Sequence, residues 1–175
     1  MLQSPLKIIK QLALSDRAVV ADFGAGAGTH SVLFAKGFPN RVVYAVEIQK
    51  DFIPRIHRDL KEHNIKNVFP IWGDIEHPKG SKLGNGTIDY VFMAHVFSKV
   101  EDKQSCIREI VRILKPSGHV CIVDQSHTDK LYMKNTKSDN DPLAQTIRIF
   151  KQFGFSLQKE LVVGTHEYGI ILARQ

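Results

Sequence analysis

The sequence of 175 residues predicts an α/β protein in which helices cover both faces of a mostly parallel sheet. Short apolar runs alternate along the chain with segments of helical periodicity, which is the pattern of successive βαβ units. The run 41–46 is apolar almost throughout, as expected of a strand that is buried on both faces. Only four residues separate the last two runs, 155–163 and 168–173, which predicts an antiparallel hairpin at the end of the sheet.

Local signals place the elements of the first half of the chain. Ser4 and Pro5 are typical of an N-cap followed by proline at the first helical position. Pro54 is tolerated in a helix only if it lies in the first turn. The predicted elements are, in order, a helix from Ser4 to Leu14, strand 18–21, helix 28–36, strand 41–46, helix 51–63 and strand 67–72.

The second half is divided by prolines and glycines. Residues 75–87 contain several of both and are predicted to be a loop, whereas Pro116 and Gly118 end the fourth helix. The predicted elements are strand 88–93, the helix that ends near 114, strand 119–123, a helix from Pro142 to Gly154, and the two hairpin strands. Seven strands in one unit predict a single domain over residues 1–175.

Composition limits the class of protein. No apolar run approaches the roughly 20 residues of a membrane span, and we recognise no secretory signal, so a cytoplasmic location is expected. Cys106 and Cys121 lie among apolar residues and lack metal-ligand spacing, which predicts two buried thiols without a disulfide. The net charge of +6 mildly favours a polyanionic partner, but segment 50–63 mixes both signs, so a nucleic-acid partner is only weakly supported.

The glycine-rich segment 20–28 is the most informative motif, because it lies between a predicted strand and a predicted helix. Gly24 and Gly26 allow a sharp turn and a close backbone approach to a ligand, and Gly28 allows close packing of helix on strand. Asp22 is expected to face the ligand from inside this turn. A carboxylate there disfavours a pyrophosphate and suits a ligand that carries an ammonium group.

Two further acids end the second and third strands. Glu47 can accept both hydrogen bonds of a ribose diol, and Asp74 can accept one from an exocyclic adenine amine. Ligands of open parallel sheets bind at the carboxyl ends of the strands, where these acids and Asp22 are expected to meet. This set suits an adenosine that carries an amino acid and no phosphate, a description that fits S-adenosylmethionine.

The sequence resembles the class I S-adenosylmethionine-dependent methyltransferases over nearly its whole length. The matching segments are 20–28, 45–48, 73–75, 88–93 and 112–118. The last is similar to the Leu-Lys-Pro-Gly-Gly of the ubiquinone/menaquinone-biosynthesis group (methyltransferase type 11/31), with Ser117 in place of the first glycine. The resemblance implies a Rossmann-like, seven-stranded sheet of order 3-2-1-4-5-7-6 with strand 7 antiparallel.

The resemblance also implies residue roles. The methionine amine would be held by Asp22 and Gly24, the ribose by Glu47 and the adenine by Asp74. The remaining cofactor-binding positions are Ala25 and Gly26 in the turn, Ile48 and Ile75 on the adenine faces, Gly73, and Ala94 beside the reactive methyl group. His95 is the candidate catalytic residue, because a base is needed only if the acceptor must lose a proton. A structural role for His95 at the strand end stays open.

The acceptor is not identified by the sequence. The motif after the fourth strand favours a small or lipid-like molecule over bases or glutamine, and no metal is predicted because Ala94 cannot be a ligand beside Asp124. Only the first helix and the segment 125–141, with His127 and Tyr132, could cover the site, so an open site or closure in a homodimer stays open. An RNA or protein methyltransferase and a non-catalytic binding module remain alternatives. A nicotinamide-dependent oxidoreductase is disfavoured by Asp22 and the terminal hairpin.

Overall fold

The protein is described by a computed structural model that covers residues 4–126 and 141–175. Its helices are α1 (Pro5–Gln11), α2 (Thr29–Ala35), α3 (Phe52–Glu62), α4 (Lys103–Ile113) and α5 (Pro142–Lys151), with a short 3₁₀ turn at Phe97–Lys99. Its strands are β1 (Val19–Phe23), β2 (Val42–Glu47), β3 (Val68–Trp72), β4 (Ile88–Ala94), β5 (Leu114–Gln125), β6 (Phe155–Glu160) and β7 (Glu167–Arg174).

The strands form one seven-stranded sheet in the order β3-β2-β1-β4-β5-β7-β6. The pairs from β3 to β5 are parallel, whereas β7 runs antiparallel to both β5 and β6. Both the fold class and the strand order predicted from the sequence are therefore confirmed. The carboxyl ends of β1 to β5 and the amino end of β7 meet at one edge, so side chains far apart in the sequence converge there.

Two apolar clusters sandwich the sheet. One is formed with α4 and α5 and includes Phe97, Ile110 and Phe150, all 2% exposed or less. The other is formed with α1, α2 and α3 and includes Phe34 and Ile56. Cys106 and Cys121 lie in these clusters as free thiols, as predicted, and burial raises the pKa of Cys106 to about 12. Among the helices of residues 4–126 and 141–175, none is long and apolar enough to span a bilayer.

Most predicted boundaries are off by three residues or fewer, and the start of β5 and the hairpin connection show the differences that matter most for the site. Strand β5 begins at Leu114, five residues earlier than predicted, because Leu114 already pairs with Ile88 of β4 despite the proline and glycine that follow. The hairpin connection is longer than four residues, and β7 begins at Glu167. Leu161 and Val163 turn into the cluster under α1. Six residues, 161–166, therefore separate the end of β6 from the start of β7.

Candidate functional site

A cavity of about 380 Å³ opens at the carboxyl edge of the sheet, above the ends of β1, β2, β3 and β4. All of the predicted site residues except Asp22 and Ala25 line it: Gly24, Gly26, Glu47, Ile48, Gly73, Asp74, Ile75, Ala94 and His95. The topology therefore brings together residues from four separate segments. Lining residues that sequence reasoning missed include Gln49, Phe52, Glu76, Val96, Lys99 and Val100.

The glycine turn after β1 is held against β2. The backbone N–H groups of Gly24 and Ala25 donate to the carbonyl oxygen of Val46, at 2.8 and 3.1 Å. Gly24 has a φ of +70°, and a Cβ at this position would clash with Cγ2 of Val96. Only glycine fits there, because both the left-handed backbone and the close approach of Val96 exclude a side chain.

Asp22 lies beneath this turn and not on the cavity surface. It is 2% exposed, and its Oδ2 accepts a 2.6 Å hydrogen bond from the hydroxyl of Ser31 in α2. Burial raises the pKa of Asp22 to about 7, against the lowering effect of the Ser31 hydrogen bonds, and the charge of Glu47 raises it further. The sequence predicted that this carboxylate faces the ligand, but the bond to Ser31 turns it toward α2. Ala25 is likewise buried, in the cluster with α1.

Glu47 is oriented by two backbone donors. Its Oε2 accepts from the N–H of Gly26 and its Oε1 from the N–H of Gln49, each at 2.8 Å. The side chain is held at the cavity wall with the residue only 5% exposed. Because each carboxylate oxygen can accept two hydrogen bonds, one position on each oxygen remains for a diol.

Asp74 begins a tight turn after β3. Its Oδ1 accepts from the N–H of Glu76 at 2.9 Å, and its Oδ2 lies 2.9 Å from Nδ1 of His77. Beside it, Ile48 and Ile75 present apolar surface to the cavity. This end of the cavity combines a carboxylate acceptor with two aliphatic side chains, which suits a flat base bearing an amino group.

His95 lies at the opposite end of the cavity, directly after β4. Its backbone N–H donates to Val123 O at 2.8 Å, and its φ is +58°. Its Nε2 lies 3.2 Å from Oε1 of Glu167, a buried residue that the sequence analysis placed in the hairpin connection. Its Nδ1 is buried and has no hydrogen-bond partner among the described residues. No local sequence signal identifies Glu167, because 72 residues separate the two side chains and only the sheet topology joins them.

His30 is a second histidine near this end, in the first turn of α2. It is half-buried, and its ring packs 5.0 Å from that of Phe92. Burial lowers the pKa of His30 to about 4, and the proximity of His95 lowers it further, so His30 is neutral at pH 7. His127 and Tyr132 lie outside the described residues.

Asp124 is used structurally at the end of β5. It is 1% exposed and accepts hydrogen bonds from the backbone N–H and the hydroxyl of Ser98 and from the N–H of Gln125, each at 2.8 Å. Within the ranges 4–126 and 141–175, no group of three or more His, Cys, Asp or Glu side chains is arranged to hold a metal ion.

The charges of the cavity fit the cofactor that the resemblance implies. Its ionisable lining residues include the acids Glu47, Asp74 and Glu76 and the single lysine Lys99. This balance favours a neutral sugar and a cationic group over a pyrophosphate. Glu47 has free lone pairs for a ribose, and the Asp74 end of the cavity suits an adenine. The adenosine part of an S-adenosyl compound therefore matches both of these regions.

Comparisons with known proteins agree with this geometry. The family model described as "Methyltransferase domain" matches residues 14–170. A malonyl-[acyl-carrier protein] O-methyltransferase of Halalkalibacterium halodurans is 26% identical over 106 residues, which are 61% of this chain and 38% of that protein. The chain spans between 3% and 41% of the length of three curated relatives that it matches.

Two solved structures illustrate the shared fold. A SAM-dependent methyltransferase from Aquifex aeolicus superposes with a TM-score of 0.80 at 21% identity, covering 98% of this chain and 90% of that chain. The [4+2]-cyclase SpnF superposes with a TM-score of 0.79 at 12% identity, covering 95% and 78%. The same fold thus carries reactions with different names, so the reaction has to be argued from the site.

Proposed function

This chain belongs to the methyltransferase domain family, and from that premise we propose that it transfers the methyl group of S-adenosylmethionine to a small or lipid-like acceptor. The single observation that carries the proposal is the position of Glu47. Its carboxylate is oriented by the N–H groups of Gly26 and Gln49 at the wall of a cavity that suits an adenosine.

In the proposed complex, the residues of the cavity act mainly by alignment. Glu47 would accept hydrogen bonds from the ribose diol, Asp74 from the adenine amine, and Ile48 and Ile75 would cover the adenine faces. The sulfonium of bound S-adenosylmethionine supplies an activated methyl group. The chain therefore has to hold the acceptor in line with it and exclude water, and proximity of this kind can supply several kcal/mol of the barrier reduction.

The methionine end would lie at the glycine turn and Ala94. Gly24 and Gly26 leave room for close backbone approach. Asp22 does not line the cavity, so it would act on the methionine ammonium only through its field from beneath the turn, and only in its ionised form, above about pH 7. His95 would lie beside the methyl group and take a proton from the acceptor where the reaction releases one.

The acceptor class is supported by sequence features. The segment Leu-Lys-Pro-Ser-Gly118 is similar to that of the ubiquinone/menaquinone group, which favours a small or quinone-like acceptor. The name of the Halalkalibacterium relative adds O-methylation of a carrier-bound acyl group as a candidate reaction. The net charge of +6 favours a different class of acceptor, RNA, and an RNA methyltransferase is therefore the second candidate function.

Two measurements test the proposal. Calorimetry should give micromolar or tighter binding of S-adenosylhomocysteine and no comparable binding of NAD, because the acids of the cavity repel a pyrophosphate. A transfer assay with methyl-labelled S-adenosylmethionine should then be run over quinone precursors, small amines, acyl carriers and RNA. Equal or tighter binding of NAD contradicts the cofactor assignment, whereas tight binding of the cofactor without transfer to any acceptor favours a binding module.

A further inference from the structure

The contact between His95 and Glu167 connects the end of β4 to the start of β7, across the intervening strand β5. His95 follows β4, and Glu167 begins β7, where it pairs with Gln125 of β5. The Nε2 to Oε1 distance is 3.2 Å, with 40% of the His95 side chain exposed and only 5% of that of Glu167. The pair therefore has one member at the cavity and one in the interior.

The Glu167 carboxylate is itself oriented. Its other oxygen, Oε2, accepts a 2.9 Å hydrogen bond from the buried N–H of Gly164. A carboxylate can only accept at Oε1. The neutral imidazole that best satisfies this geometry carries its proton on Nε2 and donates it to Glu167, which leaves the lone pair on Nδ1.

Nδ1 of His95 is the buried side-chain atom without a hydrogen-bond partner in the described part of the chain. A buried acceptor without a partner costs about 1–3 kcal/mol. Its burial keeps bulk water from the lone pair. An acceptor group that reaches Nδ1 can supply the missing hydrogen-bond donor.

We infer that Glu167 is a positioning residue, which holds His95 as the Nε2–H tautomer so that Nδ1 takes the proton of an acceptor bearing an O–H or N–H group. The inference rests on the proposed methyl transfer. It extends that proposal by naming the acceptor class, because a carboxylate acceptor carries no proton to remove and has no use for this pair.

The proposed reaction transfers one methyl group to the acceptor and one proton to His95. A lone pair of the acceptor oxygen or nitrogen forms the bond to the methyl carbon, and the sulfur–methyl bond breaks with its electron pair left on sulfur. The proton of the acceptor passes to Nδ1 of His95. The resulting imidazolium is stabilised by the Glu167 carboxylate, and the neighbouring His30 of α2 is neutral and adds no opposing charge at pH 7.

The tautomer of His95 tests the inference without any acceptor. Long-range proton–nitrogen spectra of the full chain, labelled with ¹⁵N-histidine, report which ring nitrogen carries the proton, and the His95→Asn spectrum assigns the signal. We expect the Nε2–H form in the wild-type protein. In Glu167→Gln, the amide oxygen should stay on the N–H of Gly164, so the NH₂ group would face His95 and donate to Nε2. The proton should then move to Nδ1.

The matched control is Glu160→Gln, which changes an exposed carboxylate in the neighbouring strand β6 and should leave the tautomer unchanged. Circular dichroism checks the fold of each variant. A wild-type Nδ1–H form, or an unchanged tautomer in folded Glu167→Gln, overturns the positioning role. Calorimetry with S-adenosylhomocysteine separates the two proposals, since failure to bind it contradicts the methyltransferase function whatever the tautomer is.

A kinetic readout follows once an acceptor is found. With an acceptor that carries an O–H or N–H group, Glu167→Gln should lower kcat at least about tenfold, with KM for S-adenosylmethionine within a few-fold of wild type. Transfer to a carboxylate should be unaffected. Equal losses with both acceptor types contradict a role in proton removal.

Discussion

The hydroxyl of Ser31 donates a 2.6 Å hydrogen bond to Oδ2 of Asp22, and this bond joins the end of β1 to the first turns of α2 beneath the glycine turn. Because Asp22 is buried, its proton is retained in the folded protein up to about pH 7, although the hydrogen bonds from Ser31 favour the ionised form. Burial of the Asp22 carboxyl therefore gives the stability of the protein a pH dependence, which the bond to Ser31 reduces.

We expect Asp22→Asn to raise the free energy of unfolding above pH 7. The pKa of Asp22 is about 7 when folded and near 3.8 when unfolded, so between these values the native state holds a proton that the unfolded state releases. Stability from this group therefore falls as pH rises from about 4 to 7 and is level above that, with a total loss of at most about 4 kcal/mol. Asparagine removes the titration and can still accept from Ser31.

Urea unfolding of wild type and variant at several pH values between 4 and 8 checks this. The difference in unfolding free energy should grow with pH and then level off. Asp51→Asn is the control, because Asp51 is exposed and makes no side-chain capping bond, so its variant should show no such growth. A difference independent of pH would show that Asp22 does not titrate in this range.

Glu47→Ala should weaken binding of S-adenosylhomocysteine by about 1.5–3 kcal/mol, the range for a hydrogen bond to a charged group. Part of the loss is indirect, because the variant also removes the acceptor of the Gly26 and Gln49 N–H groups that shape the wall. Calorimetry measures the affinity and far-UV circular dichroism the fold. Glu62→Ala, at the exposed end of α3, is the control. Unchanged affinity in a folded Glu47→Ala protein would remove Glu47 from the ribose site.

Gly24→Ala and Gly26→Ala should differ although both glycines have positive φ. The Cβ at position 24 would clash with Val96, whereas the Cβ at 26 would meet no protein atom within 4 Å. Gly26→Ala should therefore cost only the left-handed backbone strain of about 1–2 kcal/mol in stability, while Gly24→Ala costs more. Both should weaken cofactor binding, because both positions line the cavity. Thermal unfolding and calorimetry measure the two effects, and equal destabilisation would contradict the role of Val96.

Nucleic-acid binding is expected to be weak and non-specific. The basic residues are interspersed with acids, as in α3, where Arg58 lies 3.9 Å from Asp59. Few phosphates can then be neutralised together, so a log–log plot of affinity against salt should have a slope of about −3 or shallower. Fluorescence of the single tryptophan, Trp72, which is exposed beside Lys50 and Lys82, offers a readout. A steep slope with nanomolar affinity for a structured RNA would instead support the RNA methyltransferase.

The convergence of Gly24, Glu47 and Asp74 on one cavity could be predicted because its signals are local. Glu47 and Asp74 directly end strands that are visible as apolar runs, and Gly24 lies in a turn whose glycine spacing shows in the sequence. The sheet topology then brings these positions together without further information.

The remainder depends on contacts between distant segments. The direction of the Asp22 side chain is decided by Ser31 on the next helix, and the start of β5 by pairing with Ile88 in spite of Pro116. Glu167 gains its position from the packing of Leu161 and Val163 under α1, which lengthens the hairpin connection. Such tertiary contacts override local propensity and leave no pattern in a single sequence.

The effect of replacing His95 should depend on whether the acceptor carries a proton that has to be removed. If the acceptor carries an O–H or N–H group, replacing His95 should lower turnover at least about tenfold and leave cofactor affinity within a few-fold, since general-base contributions are typically about 10²–10⁴-fold. His95→Asn is preferred to His95→Ala, because asparagine tolerates the φ of +58° better than alanine does. His57→Ala, on the exposed face of α3, is the control. Unchanged turnover in folded His95→Asn would make His95 structural and leave alignment as the whole mechanism.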